Sequence, residues 1–245
     1  MIKLLRRIRR NLIDKGNLKR YLFYAVGEIL LVMIGILLAL QVSNWNQTRI
    51  EQKKELKALT DLNKEFKLNE ERIKIKQNSR ISIAPKLENY IRQISSGDAD
   101  YSSFKDFHSS QFLFGMTNPS NGVIDALISS GEIALVSNDS LKYFLADWKN
   151  QAENLYENEQ ILWNSGLRYI EAYSKKIPIP SHHWNDWNEK ELELAFSGLV
   201  SNIAYKNNLV GFEGVNKIVI EECNAVLNLL ENVLTLLEDE IDKHK

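Results

Sequence analysis

The residues of this chain that could do chemistry are few. A glutamate, Glu28, sits inside the apolar stretch YAVGEILLVMIGILLALQ at residues 24–41. A histidine pair, His182 and His183, stands beside Asp186 in SHHWNDW, residues 181–187. Acidic side chains cluster at Asp147, Glu153, Glu157 and Glu159. The sequence contains no G-x-S-x-G, H-E-x-x-H, P-loop or G-x-G-x-x-G pattern, so no nucleophile elbow, zincin helix or phosphate-cradling loop is written into it. That favours a non-enzymatic protein without a cofactor.

The histidine pair is a weak metal site. Adjacent side chains on an extended chain point to opposite sides, and the other histidines, His108 and His244, are remote in sequence. Trp184 and Trp187, three residues apart, share a face if the loop turns helical, which suits a partner-contact patch. The acidic group reads as a solvated helix face rather than a catalytic carboxylate pair. A single cysteine, Cys223, precludes an intramolecular disulfide and any cysteine-cluster metal site. It falls in an apolar helical stripe and is expected to be a buried small hydrophobe.

Glu28 raises the sharper question, because its surroundings read as a membrane span. Leu22 to Leu40 holds 19 residues with one charge, enough for about 28 Å of helix against a hydrocarbon core of about 30 Å. Its Leu, Ile, Val and Phe side chains favour insertion by roughly 4 to 7 kcal/mol, and a central acid opposes it by roughly 2.5 to 3.5. Insertion wins, with Glu28 removing a good part of the margin. A cleavable signal peptide would have a shorter apolar run ending in a small-residue site, and LQVSNWNQ offers none. The expected organisation is a basic tail at 1–20, a signal anchor at 21–43 and an external helical domain at 44–245. Tyr21 and Trp45 bracket the span as interfacial anchors.

Charge supports this layout. Residues 1–20 carry eight basic side chains against Asp14, so the formal net charge of −1 conceals a start of +7 on a remainder of −8. A basic tail suits an anionic lipid surface, an acidic body disfavours nucleic acid, and the positive-inside rule puts the N-terminus in the cytoplasm. Leu5, Ile8 and Leu12 share a stripe among arginines, so the tail is either a short helix on the inner leaflet or an irregular basic segment.

Within the span, Gly27, Leu31, Gly35 and Ala39 recur every fourth residue, and Gly35-xxx-Ala39 permits close helix–helix approach. Glu28 borders that face. Three readings stay open: it snorkels toward headgroups or pairs with Arg20; it locks self-association or a contact with another membrane protein; or it carries protons in an energy-coupling envelope complex. A hydrolase acting on envelope material is a weaker alternative.

The stretch GEILLVMIGILLALQVSNWN, residues 27–46, resembles the signature of a family of short bacterial membrane proteins, the domain of unknown function 6090. The resemblance rests on Gly27, Glu28, Ile29, Gly35, Ile36 and Ala39, continued by Leu40, Gln41, Asn44, Trp45 and Asn46. The start MIKLLRRIRR is similar too, and ALISSGEIALVSNDSLKYFL at 126–145 more loosely so. It implies a single-pass envelope protein; with the positive-inside rule the expected location is the bacterial inner membrane, with a periplasmic C-terminal domain. It implies no activity, and it fades after residue 160.

Beyond the span, no strand alternation persists, and the fold class is all-α: one transmembrane helix followed by an antiparallel bundle of about four main helices. Helical spacing continues through Leu59, Leu62, Phe66 and Ile73, with Pro85 expected to break or open a helix that Ser96-Gly97-Asp98 ends. A short helix is expected near 104–113, a turn at NPSNG (118–122), a helix at 122–130 closed by Gly131, and an extended link at 133–136. Asn138 to Ser140 should cap a helix through Tyr173. Asn188 with Glu191 resembles a capping box. The final helix is expected over 212–243, with stripes through Cys223, Leu230, Leu237 and through Val219, Val226, Val233 making a wide apolar face suited to a bundle core.

Overall fold

The structure is a computed structural model that describes residues 18–109, 115–177 and 189–244. All regular structure among them is helical: α1 (Leu18–Ser96), α2 (Tyr101–Ser109), α3 (Gly122–Ser130), a 3-10 turn at Glu132–Leu135, α4 (Asp139–Ser174), α5 (Glu189–Val200) and α6 (Ile203–Lys243). The chain divides into two compact units, 1–54 and 55–245.

The first unit contains the apolar part of α1. Its 18-residue stretch of highest mean hydropathy, 2.4, has no buried residue, with Leu22, Ile29, Leu31 and Leu38 each more than 60% exposed. Apolar side chains without a protein partner on any side suit a lipid solvent.

The second unit is built on three long helical segments. From α1 come Leu59, Leu62, Phe66, Ile73, Leu87 and Tyr90, at helical spacing and almost wholly buried. Each such side chain contributes roughly 1.5–3 kcal/mol through burial. From α6, Val219, Cys223, Val226, Leu230, Val233 and Leu237 are buried, so its wide apolar face packs within the domain. The directions follow from contacts. Along α6, Glu238, Asn224, Cys223 and Tyr205 meet Lys67, Gln77, Arg80 and Tyr90 of α1, so the two run antiparallel. Asn138 with Glu240 and Tyr169 with Tyr205 set α4 antiparallel to α6. Phe66 with Trp148 and Arg80 with Glu159 set α4 parallel to α1. A parallel pair needs a long return connection. Residues 97–138 supply it, passing Tyr90 with Phe107, Arg80 with Gly115, Asn69 with Ser120 and Glu55 with Ser137.

Local expectations are met where polar caps act. Gly97 at φ 83° follows α1, and the Asp98 N–H reaches the Gln93 carbonyl at 3.0 Å, the Schellman arrangement. Gly131 at φ 75° closes α3. Asn138 accepts from Leu141 N–H at 3.0 Å and Asn202 from Ala204 N–H at 2.8 Å.

Four expectations need correction. Pro85 does not break α1. The Ile81 carbonyl that loses its donor belongs to an exposed residue, where water can serve it, and buried Ile83, Leu87 and Tyr90 hold the helix on either side. The last helix begins at Ile203 rather than 212, because Tyr205, Leu209 and Phe212 continue the buried stripe through Gly211. Residues 132–135 form a 3-10 turn, not an extended link. Among the described residues the long helices number three rather than about four, since α5 has only 12 residues.

Candidate functional site

Of the ion pair the fold brings together, Glu159 stands out in the sequence only as one of an acidic group, and Arg80 does not stand out at all. Arg80 of α1 and Glu159 of α4 fall within the buried stripes of their helices, Ile73-Gln77-Arg80-Ile83 and Leu155-Glu159-Leu162. Arg80 Nη2 donates to Glu159 Oε1 at 2.5 Å, with side chains 9% and 0% exposed. Glu159 Oε2 accepts the Thr117 N–H at 2.7 Å, and Arg80 Nη2 also donates to the Gly115 carbonyl at 3.2 Å. Arg80 Nη1 lies 3.5 Å from Cys223 Sγ of α6. The pair therefore ties three helices and the return connection at one point.

The arrangement extends along α1. Glu65 accepts from Ser120 Oγ at 2.6 Å and from Val123 N–H at 3.1 Å. Asn69 exchanges two hydrogen bonds with the Ser120 backbone, both 2.8 Å. Glu55 accepts the Ser137 N–H at 2.6 Å. Irregular backbone between helices leaves donors and acceptors without helical partners, and buried side chains of α1 satisfy them. Trp148 Nε1 does the same for the Asn121 side chain at 2.8 Å.

Beside the ion pair lies a cavity of about 30 Å³. Ser79, Arg80, Glu159 and Asn216 supply its polar side chains, and Trp163 and Phe212 are among its apolar walls. Burial pushes the Cys223 thiol up to about 11, with Arg80 offsetting part of the rise, so the sulfur stays protonated and is a poor nucleophile. Glu159 spends both oxygens on Arg80 and Thr117, so it is not poised as a general base. Chemically the site suits binding. Among the described residues, no group of three or more His, Cys, Asp or Glu could hold a metal ion.

A second polar cluster lies farther along α1, and Phe212 of the cavity wall stacks on its Tyr169. Tyr90 and Tyr205 share a hydrogen bond at 2.8 Å, and Tyr169 reaches Tyr205 at 3.4 Å. Phe107 stacks on Tyr90 with ring centroids 5.0 Å apart.

The residues singled out in the sequence are distributed otherwise. Gly27, Glu28, Leu31, Gly35 and Ala39 lie on α1 of the first unit, all exposed, and a Cβ added at Gly27 or Gly35 would meet nothing within 4 Å. Trp45 is 65% exposed on the same helix, which also contains Tyr21. His182, His183, Trp184, Asp186 and Trp187 lie outside the described residues. The solvated-face reading holds for exposed Glu153 and Glu157, and Asp147 is half-buried, but it fails for Glu159, which is only 2% exposed. The signal was available: Glu159 keeps the 3–4 spacing of Ala152, Leu155 and Leu162, and a charge on that stripe demands a buried partner.

Fold and site together define an all-α protein with an apolar N-terminal helix long enough to cross a membrane and a helical domain bound together by buried polar groups. A family of unknown function (DUF6090) matches residues 28–170, more than half of the chain, and the chain belongs to that family. Neither the curated proteins nor the solved structures contain a match.

Proposed function

We propose that this is a non-enzymatic protein anchored by α1 in the bacterial inner membrane, whose helical domain binds a ligand or partner outside the cytoplasm in a scaffolding, assembly or sensory role. The observation that carries the anchor is the stretch from Leu22 to Leu40, apolar on every side and unburied, preceded by eight basic side chains. The pocket at Arg80 and Glu159, which has binding groups but no activated nucleophile, supports the binding role.

The experiment is alkaline extraction of native membranes followed by protease treatment of intact and of opened spheroplasts. The proposal expects the chain to stay in the membrane pellet and the domain to be cut from the outside of intact spheroplasts. Release at alkaline pH, or a domain reached only after opening, overturns it. Purification of the full chain from the same membranes in mild detergent, with identification of whatever accompanies it, tests the partner half.

A second reading, a subunit of a proton-driven envelope complex, is favoured by exposed Glu28 beside the open faces of Gly27 and Gly35. On that reading Glu28→Gln assembles normally with its partner and abolishes proton-dependent function. On the first reading the substitution weakens helix association and removes no such activity.

A further inference from the structure

Asn216 is a polar group of the helical domain that the fold leaves facing a cavity. It is only 4% exposed, it lines the cavity beside Arg80 and Glu159, and its amide makes no hydrogen bond among the described residues. An amide that opens onto a cavity without a protein partner is met there by water or by a ligand. We propose that this pocket binds a small neutral molecule through a primary amide, with the apolar remainder of the ligand against Trp163. The inference rests on the reading of the domain as a binding module and names the chemistry that module recognises.

Three observations select that class. First, the charges are already matched. Glu159 neutralises Arg80 at 2.5 Å and gives its second oxygen to the Thr117 N–H. An anionic ligand would add a second negative charge beside Glu159, and a cationic one a second positive charge beside Arg80. Second, a primary amide complements Asn216 in both directions: its carbonyl accepts from Nδ2–H and its N–H donates to Oδ1. Third, the walls beyond the polar floor are apolar, and the rim residues Met116 and Trp163 are 37% and 38% exposed. The space of about 30 Å³ admits one or two waters, and an amide head takes their place while the apolar part lies at the mouth.

Benzamide is the probe, tested by ligand-observed saturation-transfer NMR on the full chain in lipid nanodiscs. The expected result is saturable benzamide binding, with benzoate and N,N-dimethylbenzamide at least roughly tenfold weaker, because one adds charge and the other lacks the N–H donors. Asn216→Leu, close in size and suited to burial, should abolish binding while circular dichroism stays unchanged. Trp163→Ala, at the exposed rim, should weaken binding and serves if Asn216→Leu does not fold. A glutamine dipeptide that displaces benzamide would mark the source as a peptide side chain and supports the same pocket chemistry. Absence of benzamide binding, equal binding to wild type and Asn216→Leu, or benzoate binding as tightly as benzamide overturns the proposal. A chain that ignores benzamide yet co-purifies with a partner loses this pocket assignment and keeps the binding role.

Discussion

Arg80 and Glu159, 79 residues apart in sequence, form an ion pair of 2.5 Å with almost no access to solvent. One comes from α1 and the other from α4, two helices that run in the same direction. Their remaining hydrogen-bonding capacity goes to Gly115, Thr117 and Cys223, so the pair organises the return connection as much as the helices.

Breaking this pair on one side should be far worse than removing it. Arg80→Met leaves the Glu159 carboxylate buried beside a thiol and should cost about 3–5 kcal/mol. Replacing both residues with Met should recover a large part of that loss, because no charge is then stranded. Denaturant unfolding of the full chain in detergent, followed by circular dichroism, measures both.

The hydrogen bonds along α1 should control the order of the connection. Glu65→Ala removes the acceptor for Ser120 Oγ and the Val123 N–H, at a cost of about 1–3 kcal/mol. Glu65→Gln retains a carbonyl oxygen and should cost less. Hydrogen exchange at the Val123 amide should accelerate in the alanine variant and change little in the glutamine variant.

The tyrosine cluster predicts alkaline unfolding. Burial raises Tyr90 and Tyr169 well above the ordinary phenol value of 10.0, with neighbouring Tyr205 adding to each. Burial pushes Tyr205 up to about 12, its hydrogen bonds to the other two offsetting part of the rise. Raised values mean that the folded state retains protons the unfolded chain loses. Stability from these groups is complete below pH 10 and falls as pH rises past 10 toward 12 and beyond. Phenolate absorbance and helicity should change together in that window. Tyr90→Phe removes one partner of the 2.8 Å bond, and the Tyr205 hydroxyl should then titrate differently from wild type.

Cys223 should be silent to thiol reagents in the folded domain. It is fully buried, and its thiol is raised from 9.0 to about 11. Near neutral pH, alkylation of native protein should be slower by orders of magnitude than alkylation in denaturant, and Arg80→Met should accelerate it by loosening the site. Mass spectrometry of timed alkylation reads both rates.

Much of the architecture was legible in the residues. Leu22 to Leu40 announces a helix long and apolar enough to cross a membrane because a run of apolar residues at about 1.5 Å per residue sets both its length and its all-round apolar surface. Asn138, Gly131 and Gly97 mark helix ends because capping chemistry is local. Pro85 misled because a missing N–H matters according to whether water can reach the freed carbonyl, a property of burial rather than of sequence. Glu159 misled because Glu153 and Glu157 beside it are solvated, although its spacing places it on the buried face.

By itself, then, the sequence determined the helical class, the long apolar N-terminal helix, most helix ends and the wide apolar face of α6, all set by short-range periodicity and caps. Only the tertiary structure decided that Arg80 meets Glu159, that the connection runs back along α1 and so leaves α4 parallel to it, and that Asn216 faces a cavity beside them. Those facts depend on which buried polar groups find one another across tens of residues. No local pattern encodes that choice, because a charge on an apolar stripe states that it needs a partner without naming which.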